Sequence, residues 1–112
     1  MTRQQDNEYL AAVLTLYLNL AETPSRASVN DRKSAAELQA RGISLATVES
    51  AFLLASLRRL ARSPGMPPLS PIRSLAYFFP VIQEVLANPI PENYLDHLRR
   101  KVELLTRGKR LN

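Results

Sequence analysis

The sequence predicts an all-α fold, a single compact bundle of about five helices, from three observations. Apolar residues recur at three- and four-residue spacing along five stretches of the 112-residue chain, which is the period of an amphipathic helix. Glycines, prolines and small polar residues, which typically end helices, separate these stretches. No stretch alternates apolar and polar residues beside a hairpin turn. Because this length suffices for one core, we expect a single domain over 1–112, ordered from about residue 6 to 106.

The first two predicted helices have recognisable boundary residues. The stretch DNEYLAAVLTLYLNLAE repeats apolar side chains at helical spacing, and the shorter stretch DRKSAAELQAR has a modest apolar stripe. A loop of small polar residues separates the two stretches. The boundary residues are Asp6 or Asn7 as the cap of the first helix, Thr23 and Pro24 at its end, and Ser28 or Asn30 as the cap of the second.

A tight turn joins the second predicted helix to a third, which spans about residues 44 to 62. Gly42 stands where a left-handed residue ends a helix, and Ser44 can cap the next one. A helix, a glycine turn and a second helix have the outline of a helix-turn-helix. The matching residues are Leu38, Gly42, Ile43, Val48 and Ala51, although a small residue usually stands at the position of Leu38.

The third predicted helix carries a basic face. At about 100° per residue, the leucines share one arc of the helix, and Arg58, Arg59 and Arg62 share the opposite arc with two alanines. Such a face can approach a phosphate backbone, and the net charge of +5 favours a polyanion. A recognition helix reads bases with its amino-terminal part, which here offers hydroxyls such as that of Thr47. We therefore expect mostly non-specific contact with phosphates.

Arg99, Arg100 and Lys101, near the carboxyl terminus, can extend this basic face if the third and fifth helices are neighbours. Arg107, Lys109 and Arg110 follow these three cations in the chain. Two alternatives remain open. The third-helix arginines can simply complement the helix dipole and keep the surface soluble, and the charged terminus can be a solvated tail. The predicted contacts to double-stranded DNA are Thr47, Arg58, Arg59, Arg62, Arg99, Arg100 and Lys101.

The fourth predicted helix follows a proline-rich linker. The stretch SPGMPPLSP carries four prolines in nine residues and predicts an extended connector. Ser70 and Pro71 mark a helix start, and Pro80 should kink or split the helix at the aromatic residues before it. An asparagine-proline pair ends this helix, and the fifth runs from Pro91 to about Gly108.

Three consecutive aromatic residues, Tyr77, Phe78 and Phe79, precede the central proline of the fourth helix. Consecutive helical side chains point in different directions, so at least one of the three is expected at the surface or in an interface. We predict that these residues contact a second copy of the chain or a protein partner. The alternative is that the five helices bury all three.

The composition excludes several kinds of site, and we expect no enzymatic activity, cofactor or metal. The chain has no cysteine, which excludes disulfides, zinc-thiolate sites and a thiol nucleophile. His97 and Asp96 are adjacent on a helix and point apart, so they form no dyad. Glu92, Asp96 and Glu103 lack the second histidine or paired acids of a metal site. The chain has neither a phosphate-binding glycine loop nor an activated-serine motif.

A membrane span is not expected. The polar start MTRQQDNEYL has no apolar signal core, and no apolar run approaches the roughly 20 residues that cross a bilayer. Hydrophobic residues form 46% of the chain and charged residues 22%, which is typical of a folded domain. We therefore expect a cytoplasmic protein.

The run from LYLNLAETPSRASVNDRKSAAELQARGISLATVESAFLLASLRRLARS to PPLSPIRSLAYFFPVIQEVL resembles a small bacterial all-helical family. The resemblance covers residues 14 to 100. The family contains uncharacterised proteins, some of them associated with replication or mobile-element genes. The resemblance implies a helical fold with a helix-turn-helix-like pair and favours a link to DNA, but it brings no functional residues.

Two functions follow from these residues. The first is a DNA-associated accessory or regulatory protein that contacts phosphates through its basic helical face. The second is a protein interaction or oligomerisation module that uses the aromatic and proline region 66–80.

Overall fold

A computed structural model describes residues 3–63 and 65–111, with side chains described for 7–63 and 65–108. The elements in chain order are α1 (Arg3–Leu18), α2 (Val29–Ala40), α3 (Leu45–Leu60), a 3-10 turn (Leu75–Phe78), α4 (Phe79–Ala87) and α5 (Glu92–Leu111). These residues contain no strand, so the predicted all-α bundle of five helices is confirmed. Pro64 of the linker, the chain ends, and the side chains of Asp6, Lys109 and Arg110 lie outside the described parts.

The third helix is the centre of the bundle, because α1, α4 and α5 all pack against it. The larger core joins α3 to α1, α2 and α4. At its middle the rings of Tyr17, Phe52 and Phe78 meet, with centroids 4.7 to 6.4 Å apart. The smaller core joins α3 to α5 and consists of Leu53, Leu60, Leu95, Leu98 and Val102. Both sides of α3 are therefore covered by other helices.

The start of α2 is fixed by a reciprocal cap. The Ser28 hydroxyl oxygen accepts the Asp31 N–H at 3.0 Å, and the Ser28 N–H donates to Oδ2 of Asp31 at 2.9 Å. This capping box satisfies two donors that a helix start otherwise leaves open. Of the two predicted caps, Ser28 is the one used. The other carboxylate oxygen of Asp31 accepts the Leu75 N–H at 2.9 Å, which ties α2 to the segment before α4.

The turn between α2 and α3 forms as predicted. Gly42 has φ of 70°, and its N–H donates to the Gln39 carbonyl at 2.9 Å while the Ile43 N–H donates to the Leu38 carbonyl at 3.1 Å. These two bonds are those of a Schellman motif. Ser44 then caps α3 by accepting the N–H of its third residue. The two helices of the pair nevertheless have different neighbours, since α2 packs mainly against α1 and the 3-10 turn.

The fourth helix begins later than predicted. Residues 67–74 are not helical, so the expected start at Ser70 and Pro71 is wrong. The backbone N–H of Ile72 donates to the Glu22 carbonyl between α1 and α2, and the N–H of Leu75 donates to the Asp31 carboxylate in α2. These two bonds hold the segment extended. The predicted split at the aromatic residues is confirmed, because a 3-10 turn precedes α4 and Pro80 stands in the first turn of α4, where no N–H is needed.

Two outer helix ends also differ from the prediction. The first helix begins at Arg3, so the expected caps Asp6 and Asn7 lie inside it, because the residues before them are good helix formers. The fifth helix passes through Gly108 and continues to Leu111. A glycine inside a helix costs only about 1 kcal/mol and does not end it by itself.

Candidate nucleic-acid interface

Most of the face of α3 that was predicted to meet phosphates is packed inside the bundle. Ala51 and Ala55 are buried in the larger core, and Arg59 beside them is only 8% exposed. The opposite arc, with Leu53 and Leu60, packs in the smaller core against α5. The prediction of an exposed basic face is therefore wrong for the middle of α3, where other helices cover it, whereas Arg58 near the end of the helix stays exposed. A recognition helix, by contrast, needs a free outer face to enter the major groove.

Arg59 is bound from three directions inside the fold. Its Nε donates to Glu22 at 3.1 Å, one terminal nitrogen donates to the Tyr77 hydroxyl at 3.2 Å, and the other donates to the Ser70 carbonyl at 2.8 Å. Burial acts to lower the pKa of Arg59, and the bonds to Tyr77 and Glu22 outweigh it, so the pKa is raised. The predicted phosphate contact by Arg59 is corrected accordingly, because this guanidinium joins parts of the chain to one another.

Arg58 lies at the surface but is paired with α4. Its two terminal nitrogens donate to the two carboxylate oxygens of Glu84, one of them at 2.8 Å. This bond raises the pKa of Arg58 and lowers the pKa of the Glu84 carboxyl. The side chain is still half-exposed. A phosphate could therefore bind Arg58 only in competition with a two-point carboxylate contact.

The two other predicted contacts near α3 are also engaged. Arg62 donates to the Pro67 carbonyl at 2.9 Å and so fastens the proline-rich linker to the end of α3. The Thr47 hydroxyl accepts the Ser44 hydroxyl at 2.9 Å, and the Thr47 N–H is capped by the same serine. Thr47 therefore belongs to the cap of α3.

The condition for extending the basic face towards the carboxyl terminus is met, because α3 and α5 are neighbours. The contact between them neutralises charge instead of adding it. Arg99 donates to both carboxylate oxygens of Glu49, at 2.9 and 2.6 Å, and to Asp96 at 2.6 Å. The bond to Glu49, followed by that to Asp96, raises the pKa of Arg99. Glu49 on α3 thus binds the arginine that was expected to contact phosphate.

Arg100 and Lys101 are the two predicted contacts that remain free. Both side chains are exposed, and neither forms an ion pair with any described residue. Arg107, one turn beyond Glu103, pairs with that glutamate at 2.6 Å. Two of the seven predicted side chains therefore keep an unpaired positive charge at the surface of α5.

Four further free cations surround the start of α2, and sequence reasoning missed them. The Ile72 N–H donates to the Glu22 carbonyl at 2.9 Å, and Asp31 bonds Leu75, so three chain segments meet at this helix end. Each segment carries exposed cations without an ion pair to any described residue. We call this group the α2 corner; it consists of Arg26, Arg32, Lys33 and Arg73.

Part of the α2 corner was visible in the sequence. The capping box at Ser28 and Asp31 fixes the start of α2, and the buried Ala35 one turn later places Lys33 on the other side of the helix. The position of Arg73 was not visible. It depends on the bond between Asp31 and Leu75, which lie 44 residues apart.

The three aromatic residues before Pro80 have separate roles. Phe78 is 0% exposed and packs in the larger core, so its predicted role in an interface is corrected. Phe79 is partly buried against the same core. Tyr77 is exposed, and the guanidinium of Arg59 lies 5.5 Å from its ring centre. Tyr77 is the exposed residue of the three, at 44%.

The residues considered for catalysis or metal binding lie apart. Asp96 pairs with Arg99, and the neighbouring His97 ring lies 5.0 Å from the ring of Tyr94. No group of three or more histidine, cysteine or acidic side chains in the described part of the chain could hold a metal ion. Among the helices of that same part, none is long and apolar enough to cross a bilayer.

No protein-family model, curated protein or solved structure matches the chain. The resemblance to a bacterial helical family therefore stays a prediction.

Proposed function

We propose that the chain is a non-enzymatic, DNA-associated accessory or regulatory protein that contacts phosphates with unpaired surface cations. One observation carries the proposal. Five arginines of the described chain are paired with carboxylates, yet six exposed cations in the same part of the chain have no such partner. These six are Arg26, Arg32, Lys33, Arg73, Arg100 and Lys101.

The pairing decides which cations matter for binding. A paired arginine such as Arg58 must break its bonds to a carboxylate before it binds a phosphate, so it contributes little net free energy of binding. An unpaired cation binds without that loss and releases a counterion from the DNA. In the part of the chain whose side chains the structure describes, the exposed cations without a carboxylate partner therefore lie at the α2 corner and on α5. Contacts of this kind read no sequence and supply mostly non-specific binding. Such a role belongs in the cytoplasm, where bacterial DNA lies.

A salt titration of binding to a random-sequence duplex tests the proposal. Fluorescence anisotropy should show binding that weakens steeply with salt, with a slope of about 0.9 in log K per phosphate contacted. The double variant Arg100→Gln, Lys101→Gln should lower both the affinity and the slope. The matched control is Arg58→Gln with Glu84→Gln, which removes one charge of each sign and should bind as the wild type does. Absence of binding by the wild type at low salt contradicts the proposal.

A second candidate function, self-association or binding of a protein partner through region 66–80, has one observation in its favour. Met66, Leu69 and Tyr77 are exposed, although they are large apolar or aromatic side chains. Arg59 contacts both Ser70 and Tyr77, so the linker and the 3-10 turn lie side by side. Exposed apolar side chains that lie together often mark an interface.

Sedimentation tests this candidate. The wild type should sediment as a dimer, and Met66→Ser with Leu69→Ser should sediment as a monomer with an unchanged circular dichroism spectrum. A wild type that is monomeric over the whole range of concentration contradicts self-association.

A further inference from the structure

The outer side of α2 is an exposed helix face that carries a cation. Its buried side consists of Asp31, Ala35 and Leu38. The opposite side presents four exposed residues at spacings of four, three and four, which line up along one face of a helix. These residues are Val29, Lys33, Ala36 and Ala40.

The chemistry of this face suits the major groove of DNA. The exposed alanines Ala36 and Ala40 leave the helix backbone close to whatever lies against it. Val29 is 67% exposed, which is unusual for an aliphatic side chain, and an apolar group of this kind contacts the methyl group of thymine. Asn30, also exposed, is the side-chain type that bonds adenine. A groove about 12 Å wide accepts a helix whose first residues face the base edges.

The charges around α2 also favour a polyanion. Arg26 precedes the cap of α2. Arg73 lies in the chain between Ile72, which bonds to the α1–α2 connection, and Leu75, which bonds to Asp31. Both cations therefore stand at the amino-terminal end of α2, together with Arg32. The negative charge of Asp31 is turned inward, where it accepts two backbone N–H groups.

The carboxylate of Glu37 is paired with Arg41 at 2.6 Å. Among the described residues of α2, no acidic side chain is therefore left without a bonding partner. The outer face of the helix is positive along its first two turns.

We propose that α2, the first helix of the pair, enters the major groove of duplex DNA. Val29, Asn30 and Lys33 face the base edges, and Arg26 and Arg73 contact phosphates beside the groove. This proposal rests on the proposed function and names the element that carries it out. The central helix α3, which follows the turn, supports α2 from within the bundle through α1.

A steric test separates groove entry from simple charge attraction. Ala36→Gln enlarges the outer face of α2 without changing charge, and Ala11→Gln is the matched control at an exposed alanine of α1. Ala36→Gln should weaken duplex binding at least about tenfold, and Ala11→Gln should leave it unchanged. Arg26→Gln with Arg73→Gln should lower the salt slope by the equivalent of about two phosphate contacts. Thermal melting followed by circular dichroism confirms that each variant is folded.

Each outcome decides between the two proposals. If the wild type does not bind duplex DNA at low salt, the proposed function fails and this inference fails with it. If the wild type binds and only Arg100→Gln with Lys101→Gln weakens binding, DNA association stands and the role of α2 is overturned. The role of α2 is also overturned if polyglutamate competes as well as duplex DNA does, because an acidic protein is then the better partner.

Discussion

Arg59 on the central helix is buried and donates to the partly exposed carboxylate of Glu22, with 3.1 Å between Nε and Oε2. Glu22 has φ of 68°, a left-handed conformation that residues other than glycine rarely adopt. Its carbonyl accepts the Ile72 N–H, so the same residue also holds the segment before α4. One side chain of α3 thereby fixes the connection between α1 and α2 through Glu22 and the proline-rich linker through Ser70.

Removal of this contact should destabilise the protein. Arg59→Ala should lower the free energy of unfolding by about 2–4 kcal/mol, because three bonds from a buried charged group are lost. Urea denaturation followed by circular dichroism measures the change. Arg58→Ala is the control, and it should stay close to the wild type because its pair with Glu84 is exposed and screened. Equal losses for the two variants would contradict the structural role of Arg59.

The separate roles of the neighbouring aromatic residues predict different costs. Phe78→Ala should lower the free energy of unfolding by about 3–5 kcal/mol, because it leaves a cavity between the rings of Tyr17 and Phe52. Tyr77→Phe removes only the hydroxyl that accepts from Arg59 and should cost about 1 kcal/mol. Denaturation of both variants under the same conditions measures the difference. A small loss for Phe78→Ala would mean that this ring is not a core residue.

Two glycines should respond to alanine with opposite signs. A Cβ added at Gly42 or at Gly108 meets no atom within 4 Å, so neither substitution is limited by space. Gly42 has φ of 70°, and Gly42→Ala should cost about 1 kcal/mol of backbone strain. Gly108 lies inside α5, and Gly108→Ala should stabilise the helix by up to about 1 kcal/mol. Thermal melting reports both shifts, and a gain for Gly42→Ala would exclude the left-handed turn.

Stability in alkali should depend on Tyr17. Burial, followed by the charge of Asp31, raises the pKa of Tyr17 from 10.0 to about 12. The unfolded chain releases this proton near pH 10 while the folded chain keeps it, so the free energy of unfolding falls as the pH rises from 10 towards 12. The fall is about 1–3 kcal/mol, and the contribution is constant below pH 10.

The variant Tyr17→Phe provides the comparison. The Tyr17 hydroxyl has no hydrogen-bond partner among the described residues, so at neutral pH the variant should match the wild type within about 1 kcal/mol. Between pH 10 and 12 it should lose less stability than the wild type in parallel urea titrations. Equal losses of unfolding free energy in the two proteins would show that the pKa of Tyr17 is not raised in the folded chain.

Local features of the fold could be read from the sequence because they depend on residues a few positions apart. The left-handed turn at Gly42 and the caps at Ser28 and Ser44 follow from short-range rules, and all three are present. The start of α4 could not be read in this way. Its extended approach is held by Glu22 and Asp31, which lie far away in the chain.

The sequence by itself determined that the chain forms helices, where α2 and α3 begin and end, and that it carries surplus positive charge. Only the tertiary structure decided which side of each helix is free. Arg59 and Leu53 lie on opposite arcs of α3, and residues on each arc recur at helical spacing. A helical-wheel projection of the sequence cannot show that other helices cover both arcs. The pairing of Arg58 and Arg99 with acids on other helices was equally hidden, because ion pairs between distant segments depend on how the helices pack.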